Sequence, residues 1–467
     1  MKKIAFLLAV CLCLSVCLVG CSNEDKTFLK DPTQIESLDY SDFVIATGTQ
    51  LYRISDTLMS NSQVGTQADM EKADYIENIF KDIGLRNVNK VPVMLNSWNF
   101  SNITLTVDCN CADKTEVSFR VMGTYPCNYS FDNTPTNLIY VDIATELSAD
   151  LIKDKGIIVE AFKNTDIVEL EKFVYQIMQY NPTFVVISMI YEDFYAYEVN
   201  TNYFKDITCP LFSIPYSSYK NLKSYLSKST TTPKSLNAKI TGYATISSDL
   251  KESYFVVGEI KGNSDKCIYV TAHRDTLHGG FMESNISVGQ VAAIASRMVS
   301  EGYTPDYTIK FMITTGQEWG TIGEGENAGI EAFVANLSED EKKNIKGVLV
   351  FNGSYPMEYN VYTTTLISNS EDLLKNITKL NTEYYEVYES LQNINEVIEY
   401  DLDKVGLTEA EVWSNLGIPT VLCGETNTGR YYQQGTSEDI DAYSIDVSIL
   451  NFITDYYTNV IKIMSEK

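Results

Sequence analysis

The strongest constraint on the fold of this chain comes from two apolar segments, each followed directly by polar residues. The first, Ile268 to Ala272, is rich in β-branched residues and is followed at once by His273 and Asp275. The second, Tyr307 to Thr315, is followed by Gly316-Gln317-Glu318. A short apolar run that ends at turn residues predicts a buried strand. The chain therefore places chemically useful side chains just past two predicted strands.

The segment between these strands has a helical pattern. Ser287 to Val299 is rich in small and apolar residues and contains no helix breaker after Gly289. A strand, a helix and a second strand in succession predict a parallel pair within an α/β sheet. In such sheets, ligands bind outside the carboxyl ends of the strands. We therefore expect a functional site at the shared end of these two strands.

The order of these motifs resembles the zinc aminopeptidases, a family with the di-zinc exopeptidase fold of clan MH. The resemblance rests on Ala272-His273-x-Asp275, then Asn285-Ile286-Ser287, and then Gly316-x-Glu318-x-Gly320. Two weaker matches are Gly65-Thr66 before a predicted helix and Gly417-Ile418-Pro419 before a late strand. The resemblance implies an α/β fold, a phosphorylase/aminopeptidase-like three-layer sandwich with a mostly parallel central sheet.

A middle segment interrupts this pattern. Lys155 to Val159, a helix, a strand and then Cys209 to Pro215 resemble the protease-associated domain, a β-rich module inserted into many of these peptidases. We therefore predict an inserted domain at residues 100–240 and a discontinuous aminopeptidase-like domain at residues 41–99 and 241–467. Residues 370–400 are predicted to be helical.

The amino terminus resembles a bacterial lipoprotein signal. Lys2 and Lys3 precede an apolar stretch, and Leu18-Val19-Gly20-Cys21 ends it. A processed signal of this kind, rather than a membrane-spanning helix, predicts that Cys21 is lipid-modified. We expect residues 22–40 to be a tether and the protein to be lipid-anchored at the extracytoplasmic face of a bacterial cell membrane. An uncleaved anchor helix is the alternative, and it also places the protein at a membrane.

Composition limits the partners and the chemistry. The formal net charge of -26 argues against a nucleic-acid partner. The chain has only two histidines, His273 and His278, which excludes a histidine-rich metal site. Six of the ten cysteines follow the signal, and an exported protein could join them in up to three disulfides.

The resemblance implies roles for three residues that this chain retains. His273 matches a histidine ligand of one metal ion, and Glu318 matches a carboxylate ligand of the other. Asp275 matches the aspartate that orients the first histidine ligand without itself binding a metal ion.

Four other roles of the family fall on unsuitable residues. Ser284 stands where an aspartate bridges the two metals, and Gln317 stands where a glutamate acts as general base. Asn352 replaces a third carboxylate, and Gln434 or Gly435 replaces the last histidine. An amide cannot accept a proton near neutral pH, and a neutral amide is a poor zinc ligand.

The sequence therefore predicts a catalytically inactive relative of these peptidases that binds a peptide or a protein and holds no cofactor. The alternative is an active metallo-aminopeptidase with an atypical zinc site that releases N-terminal residues from peptides. A single metal could be held there by His273 and Glu318 with help from Glu283 or His278, and Asn352 is a further possible helper.

Overall fold

The structure is a computed structural model of the 467-residue chain. It describes fourteen segments: residues 39–54, 64–101, 103–109, 115–124, 127–160, 167–188, 208–231, 233–276, 284–318, 327–352, 364–387, 395–399, 408–425 and 447–467. Cys21, His278, Glu283, Gln434 and Gly435 lie outside these segments.

The described helices are named here in chain order. They are α1 (Tyr40–Ile54), α2 (Gln67–Ile83), α3 (Ala149–Ile152), α4 (Ile167–Met178), α5 (Tyr216–Ser227), α6 (Ile286–Ser300), α7 (Ala328–Ala335), α8 (Glu339–Asn344), α9 (Glu371–Val387), α10 (Glu409–Asn415) and α11 (Val447–Ser465). Among these segments, no helix is long and apolar enough to cross a lipid bilayer.

The strands divide into two sheets. They are β1 (Arg86–Leu95), β2 (Trp98–Phe100), β3 (Ile103–Asp108), β4 (Glu116–Gly123), β5 (Tyr129–Val141), β6 (Gly156–Glu160), β7 (Phe184–Ser188), β8 (Leu211–Ile214), β9 (Ser235–Ile246), β10 (Lys251–Ile260), β11 (Ser264–His273), β12 (Tyr307–Thr314), β13 (Ile345–Asn352), β14 (Thr364–Ser368), β15 (Asn395–Glu399) and β16 (Thr420–Glu425).

The main sheet is mixed. Its order is β1-β10-β12-β11-β13-β16-β14-β15. The central strands β12, β11, β13 and β16 run parallel, and so do β14 and β15. The pairings β1–β10, β10–β12 and β14–β16 are antiparallel. Parallel pairings thus occupy the centre of the sheet, with antiparallel pairings on both sides of it, and the expected mostly parallel central sheet is not confirmed.

Helices cover both faces of the main sheet because successive side chains of a strand point to opposite faces. Ile268, Val270 and Ala272 of β11 belong to a core shared with α1, α6 and α11. Cys267 and Tyr269 belong to the opposite core, with α7 and α10. By this alternation, Thr271 and His273 also point toward the side of α10.

The second sheet closes on itself. Strands β9-β3-β4-β8-β7-β6-β5 follow one another, and β5 pairs again with β9. These seven strands enclose their own apolar core, and β2 extends the edge of β9. The closed sheet runs from Ile103 to Ile246 and so overlaps residues 100–240, for which an inserted domain was predicted. The predicted boundary at residue 240 falls inside β9, whose pairing with β5 continues to Ala244.

Two other predictions need revision. Residues 370–400 are not one helical region, because α9 ends at Val387 and Asn395–Glu399 forms β15, which pairs with β14. Five cysteines carry free thiols, so no disulfide joins any two of them: Cys109, Cys127, Cys209, Cys267 and Cys423. Cys267 and Cys423 are held on separate strands of the main sheet, far from the closed sheet that contains the others.

A buried ion pair anchors α2 to the end of β11. Arg274 and Asp69 are both fully buried, and Nη2 of Arg274 lies 2.8 Å from Oδ1 of Asp69. Arg274 also donates to Oγ of Ser253 and to the carbonyl oxygen of Thr314, at 3.1 and 3.2 Å. Nζ of the buried Lys72 donates to the carbonyl oxygen of Arg274 at 3.2 Å.

Both carboxylate oxygens of Asp69 accept hydrogen bonds. Its Oδ2 accepts from Oγ of Ser253 at 2.5 Å and from the backbone N–H of Gly65 at 3.0 Å. Its Oδ1 accepts from Oγ1 of Thr315 at 3.2 Å. A buried charge is tolerated when such partners replace water. Thr315 follows β12 directly, so this one carboxylate ties α2 to the ends of two site strands.

Asp69→Asn is expected to destabilise the protein by about 3–5 kcal/mol, because it leaves the Arg274 charge buried and uncompensated. Urea unfolding followed by circular dichroism measures the loss. Asp74→Asn on the same helix is the matched control, since its pair with Lys90 is at the surface and contributes about 0–1 kcal/mol. Equal losses in the two variants would show that the buried pair does not anchor α2.

Candidate functional site

The ends of three neighbouring parallel strands bring the expected residues together. His273 is the last residue of β11, and Asn352 is the last residue of β13 on one side of it. Gln317 and Glu318 follow β12 on the other side. All four lie at the carboxyl edge of the main sheet, where ligand sites of α/β proteins form. The structure thus groups these predicted residues at one place.

The His273 ring contacts a backbone carbonyl oxygen and lies near two carboxylates. Its Nδ1 donates to the carbonyl oxygen of Asp275 at 3.1 Å, and the ring is fully buried. The nearest carboxylate oxygens to Nδ1 are Oδ1 of Asp275 at 3.6 Å and Oε1 of Glu318 at 3.9 Å. These separations position the imidazole between two acidic groups.

Asp275 is a buried carboxylate that fixes the segment following β12. Its Oδ2 accepts from the backbone N–H of Glu318 at 3.0 Å. Burial alone would raise the pKa of Asp275, but His273 and the N–H of Glu318 together bring that pKa below its ordinary value. Asp275 is therefore an anion that joins His273 to the Glu318 segment.

Gln317 and Asn352 form a direct pair. Nε2 of Gln317 donates to Oδ1 of Asn352 at 2.9 Å, and Gln317 is 5% exposed. An amide has both a donor and an acceptor, so two amides can pair in this way without a metal ion or an extra proton. Two carboxylates at this distance would repel each other unless they shared a proton or a cation.

The turn that presents Gln317 and Glu318 depends on two glycines. Gly316 has a φ of +77°, which side chains with a Cβ rarely adopt. Gly329, at the start of α7, donates its N–H to the carbonyl oxygen of Gly316 at 3.0 Å. A Cβ on Gly329 would stand 1.8 Å from the carbonyl oxygen of Thr315, so no larger residue fits there.

The residues at this edge do not fit the two zinc ions that the resemblance implies. Ser284, at the bridging position, is fully buried just before α6 and offers a hydroxyl instead of a carboxylate. In the described part of the chain, no group of three or more His, Cys, Asp and Glu side chains could hold a metal ion. Structural zinc sites use four ligands and catalytic sites use three.

A buried carboxylate that the sequence motifs did not single out lies beneath His273. Glu409 begins α10 and is 1% exposed. Burial raises its pKa to about 7, although the hydroxyls of Thr314 and Thr271 and the charge of His273 lower it, while the charge of Asp275 raises it.

Helical spacing is the signal that could have located Glu409. Trp413 belongs to the predicted passage before Gly417-Ile418-Pro419, and its ring stacks on Tyr269 with centroids 5.6 Å apart. Residues four apart share one face of a helix, so Glu409 points to the same sheet as Trp413. The same spacing relates Asp69 to the buried Ala73 on α2.

Solved structures identify the fold class. The peptidase M28 precursor from Shewanella amazonensis SB2B matches with a TM-score of 0.67 and 14% identity, over 95% of this chain and 98% of its own. BSAP, a zinc aminopeptidase from Bacillus subtilis, matches with a TM-score of 0.63 and 15% identity, over 91% and 95%. The aminopeptidase from Aneurinibacillus sp. strain AM-1 gives 0.58 and 16%, over 93% and 96%. The chain has the overall fold of these aminopeptidases.

The sequence comparison adds a match between part of the chain and one family model. The model of Peptidase family M28 matches residues 256–454, a range that includes His273, Gln317, Glu318 and Asn352. No curated protein sequence matches the chain. At 14–16% sequence identity, the solved structures establish a shared fold. The chemistry of the site must be argued from the residues of this chain.

Glu409 makes a pH-dependent contribution to stability. The folded protein holds the Glu409 proton more tightly than the unfolded chain, whose ordinary pKa is 4.5. Stability contributed at this site is therefore highest below about pH 4.5 and falls as the pH rises to about 7. We expect Glu409→Gln to gain stability relative to the native protein across this window, reaching about 3 kcal/mol at pH 8.

Thermal and urea unfolding between pH 5 and pH 8 in buffer containing EDTA measure this difference. Glu411→Gln, a partly exposed position on the same helix, is the control and should show no pH-dependent gain. A constant difference between Glu409→Gln and the native protein over this range would contradict the assignment.

Proposed function

We propose that this protein is an exported, lipid-anchored relative of the M28 aminopeptidases that no longer catalyses peptide hydrolysis. In this proposal, the cleft at the carboxyl edge of the main sheet binds a peptide or a segment of another protein. The single observation that carries the proposal is the hydrogen bond between Gln317 and Asn352. It joins the positions at which the family resemblance requires a general base and a metal-binding carboxylate.

The chemistry of these two residues supports inactivity. A general base must accept a proton near the working pH, and the Gln317 amide does not. Asn352 carries no charge to hold a metal ion, and its Oδ1 already accepts the Gln317 donor. Each replacement keeps nearly the volume of the acid it would replace, so packing is preserved while the charge is removed. The site is thus stable without the ions that a di-zinc peptidase requires.

The retained acidic groups suggest the kind of ligand. Asp275 and Glu318 remain beside His273, and the whole chain carries a formal net charge of -26. Such a surface favours a neutral or cationic peptide segment and disfavours nucleic acid. A site that binds peptides without hydrolysing them would make the protein a surface-exposed scaffold or receptor for peptides.

An active metallo-aminopeptidase is the second candidate. The match to Peptidase family M28 and the fold shared with zinc aminopeptidases favour it. His273 and Glu318 are retained, and the hypothesis needs a third ligand from Glu283 or His278. Glu283 and His278 lie outside the described residues, and we place this candidate second because Gln317 and Asn352 form a neutral pair at two of the positions that the chemistry needs.

Gln317→Glu is expected to leave the protein without aminopeptidase activity. The variant restores a carboxylate at the base position, but Ser284 and Asn352 still cannot bind metal. Hydrolysis of a panel of amino-acid anilides and short peptides, with zinc added, measures the outcome. Gln290→Glu, at a buried glutamine of α6 whose Nε2 donates to Oγ1 of Thr454, controls for the added charge. Appreciable zinc-dependent turnover by Gln317→Glu alone would show that the assignment of metal positions is wrong.

Membrane attachment depends on Cys21 in this proposal. Cys21→Ser is expected to move the protein from the detergent fraction of expressing bacterial cells to the aqueous fraction, because it removes the residue that receives the lipid. Detergent phase partitioning and metabolic labelling with a fatty-acid analogue measure this. Cys423→Ser, a buried cysteine on β16, is the control and should still partition with detergent. Continued labelling of Cys21→Ser would exclude Cys21 as the lipidated residue.

A further inference from the structure

One amide oxygen at the carboxyl edge of the main sheet has no donor. Nε2 of Gln317 donates to Oδ1 of Asn352 at 2.9 Å, but Oε1 of the same Gln317 amide makes no hydrogen bond with any described residue. Gln317 is 5% exposed, so this acceptor is largely shielded from bulk water. A buried acceptor without a partner costs free energy, and native proteins normally supply one. The arrangement suits a hydrogen bond from a ligand.

A second buried acceptor lies beside Gln317 in the fold. Asn327, which directly precedes α7, donates its backbone N–H to the carbonyl oxygen of Gln317 at 2.8 Å. Asn327 is 4% exposed, and its Oδ1 has no partner within the described part of the chain. Its φ of +68° is a left-handed conformation that asparagine adopts more often than most residues. The segment after β12 is therefore fixed in place while two of its amide oxygens stay available.

The side chains of Gln317 and Glu318 both lie over the end of β11. This strand separates β12 from β13, and Gln317, which follows β12, reaches across to Asn352 at the end of β13. Oε1 of Glu318 lies 3.9 Å from Nδ1 of His273, the last residue of β11. Adjacent strands are about 4.8 Å apart, so the two side chains share the space above one strand end. A single small group of a ligand can contact both.

The charges at this edge favour a cationic group. The carboxylates of Asp275 and Glu318 lie 3.6 and 3.9 Å from Nδ1 of His273, and the amides of Gln317 and Asn352 are neutral. The whole chain carries a formal net charge of -26. A concave site lined by one sign of charge attracts ligands of the opposite sign.

We propose that Gln317 and Glu318 bind a primary ammonium group of the peptide or protein held in the cleft. Oε1 of Gln317 accepts one N–H of this group, and the Glu318 carboxylate accepts another. The inference rests on the proposed function and names the group that the cleft recognises. An ammonium is a compact charge with three donors, whereas a guanidinium is a wide planar fork. Because Gln317 and Glu318 are only 5% and 8% exposed, the narrow approach favours the compact group.

The residue at the general-base position thus becomes a recognition residue. The bond from its Nε2 to Asn352 fixes the plane of the Gln317 amide, so the position of Oε1 is set before a ligand arrives. A group that is already ordered loses little rotamer freedom on binding, and this adds to affinity. Substitution of glutamate by glutamine here removes a proton acceptor but keeps an acceptor of hydrogen bonds.

Hexapeptide libraries separate the two sources of a primary ammonium, a peptide amino terminus and a lysine side chain. All are amidated at the carboxyl terminus. The first has a free amino terminus and no lysine, the second is N-acetylated with one lysine, and the third is N-acetylated without lysine. They are passed in EDTA over the chain from residue 22 onward, immobilised through a carboxyl-terminal tag, and retained peptides are quantified by mass spectrometry. We expect retention of the third library to be about 10–100-fold below that of at least one other, because it lacks a charged donor.

Substitutions at position 317 test the assigned contact. Gln317→Met removes the acceptor at nearly constant volume and should lower retention of ammonium-bearing peptides about 10–100-fold. Gln317→Glu keeps an oxygen acceptor and should retain these peptides at least as well as the native chain, a rescue that a purely structural role of the amide would not give. Gln290→Met is the matched control, since Gln290 is also buried with an unpartnered Oε1 but bonds to Thr454 of α11. It should behave like the native chain.

Equal retention of the N-acetylated, lysine-free library would overturn the inference, and so would an unchanged ammonium preference in Gln317→Met. Both results leave peptide binding itself in place. Retention of no library would overturn the inference together with the proposed binding function. Shortened peptides in the eluate of the native chain would contradict the proposed loss of catalysis and not the ammonium preference, which is read from the retained peptides.

Discussion

The buried ion pair between Arg274 and Asp69 is the constraint on which the candidate site depends. It holds α2 against the point where β11 leaves the sheet and the chain turns from His273 to Asp275. Asp69 also accepts from Thr315, so the same carboxylate fixes the start of the segment that carries Gln317 and Glu318. Removing either charge would leave the other buried alone, which is far more costly than the pair itself. The ends of β11 and β12 thus keep their positions whatever the cleft binds.

Under the proposed function, this anchoring lets the carboxyl edge of the main sheet keep its shape without the catalytic groups. The backbone turn after β12 is set by Gly316 and Gly329, and the Asp275 carboxylate secures Glu318 through its backbone N–H. None of these contacts requires a metal ion. Nε2 of Gln317 can therefore donate to Oδ1 of Asn352 across the site, which a pair of ionised acids could not do. Under the proposed function, the two positions have exchanged charge for a neutral hydrogen bond.

Sequence patterns predicted the parts of the fold that depend on local periodicity. The strands that end at His273 and Thr314 and the helix between them agree with prediction. The error at residues 395–399 arose because polar and apolar residues there suit a helix in isolation, whereas pairing with β14 makes Asn395–Glu399 a strand. Pairing between distant segments is not visible in local periodicity.

The same limit applies to the site. Motif order placed His273, Asp275, Gln317, Glu318 and Asn352 at one edge of the sheet. The residues that support them from other elements, Asp69 and Glu409, carry no motif, and only their helical spacing from buried neighbours indicates that they face inward. Their partners, Arg274 and Thr271, lie more than a hundred residues away in sequence, so the contacts themselves required the structure.

The measurement that tests the central claim most directly is the zinc content of the purified chain from residue 22 onward. It would be made by elemental mass spectrometry after dialysis against dilute zinc. The paired amides and the missing ligands predict that zinc remains far below one ion per chain. One or two tightly held zinc ions per chain, lost on substitution of His273 or Glu318, would contradict the account and favour an active metallo-aminopeptidase.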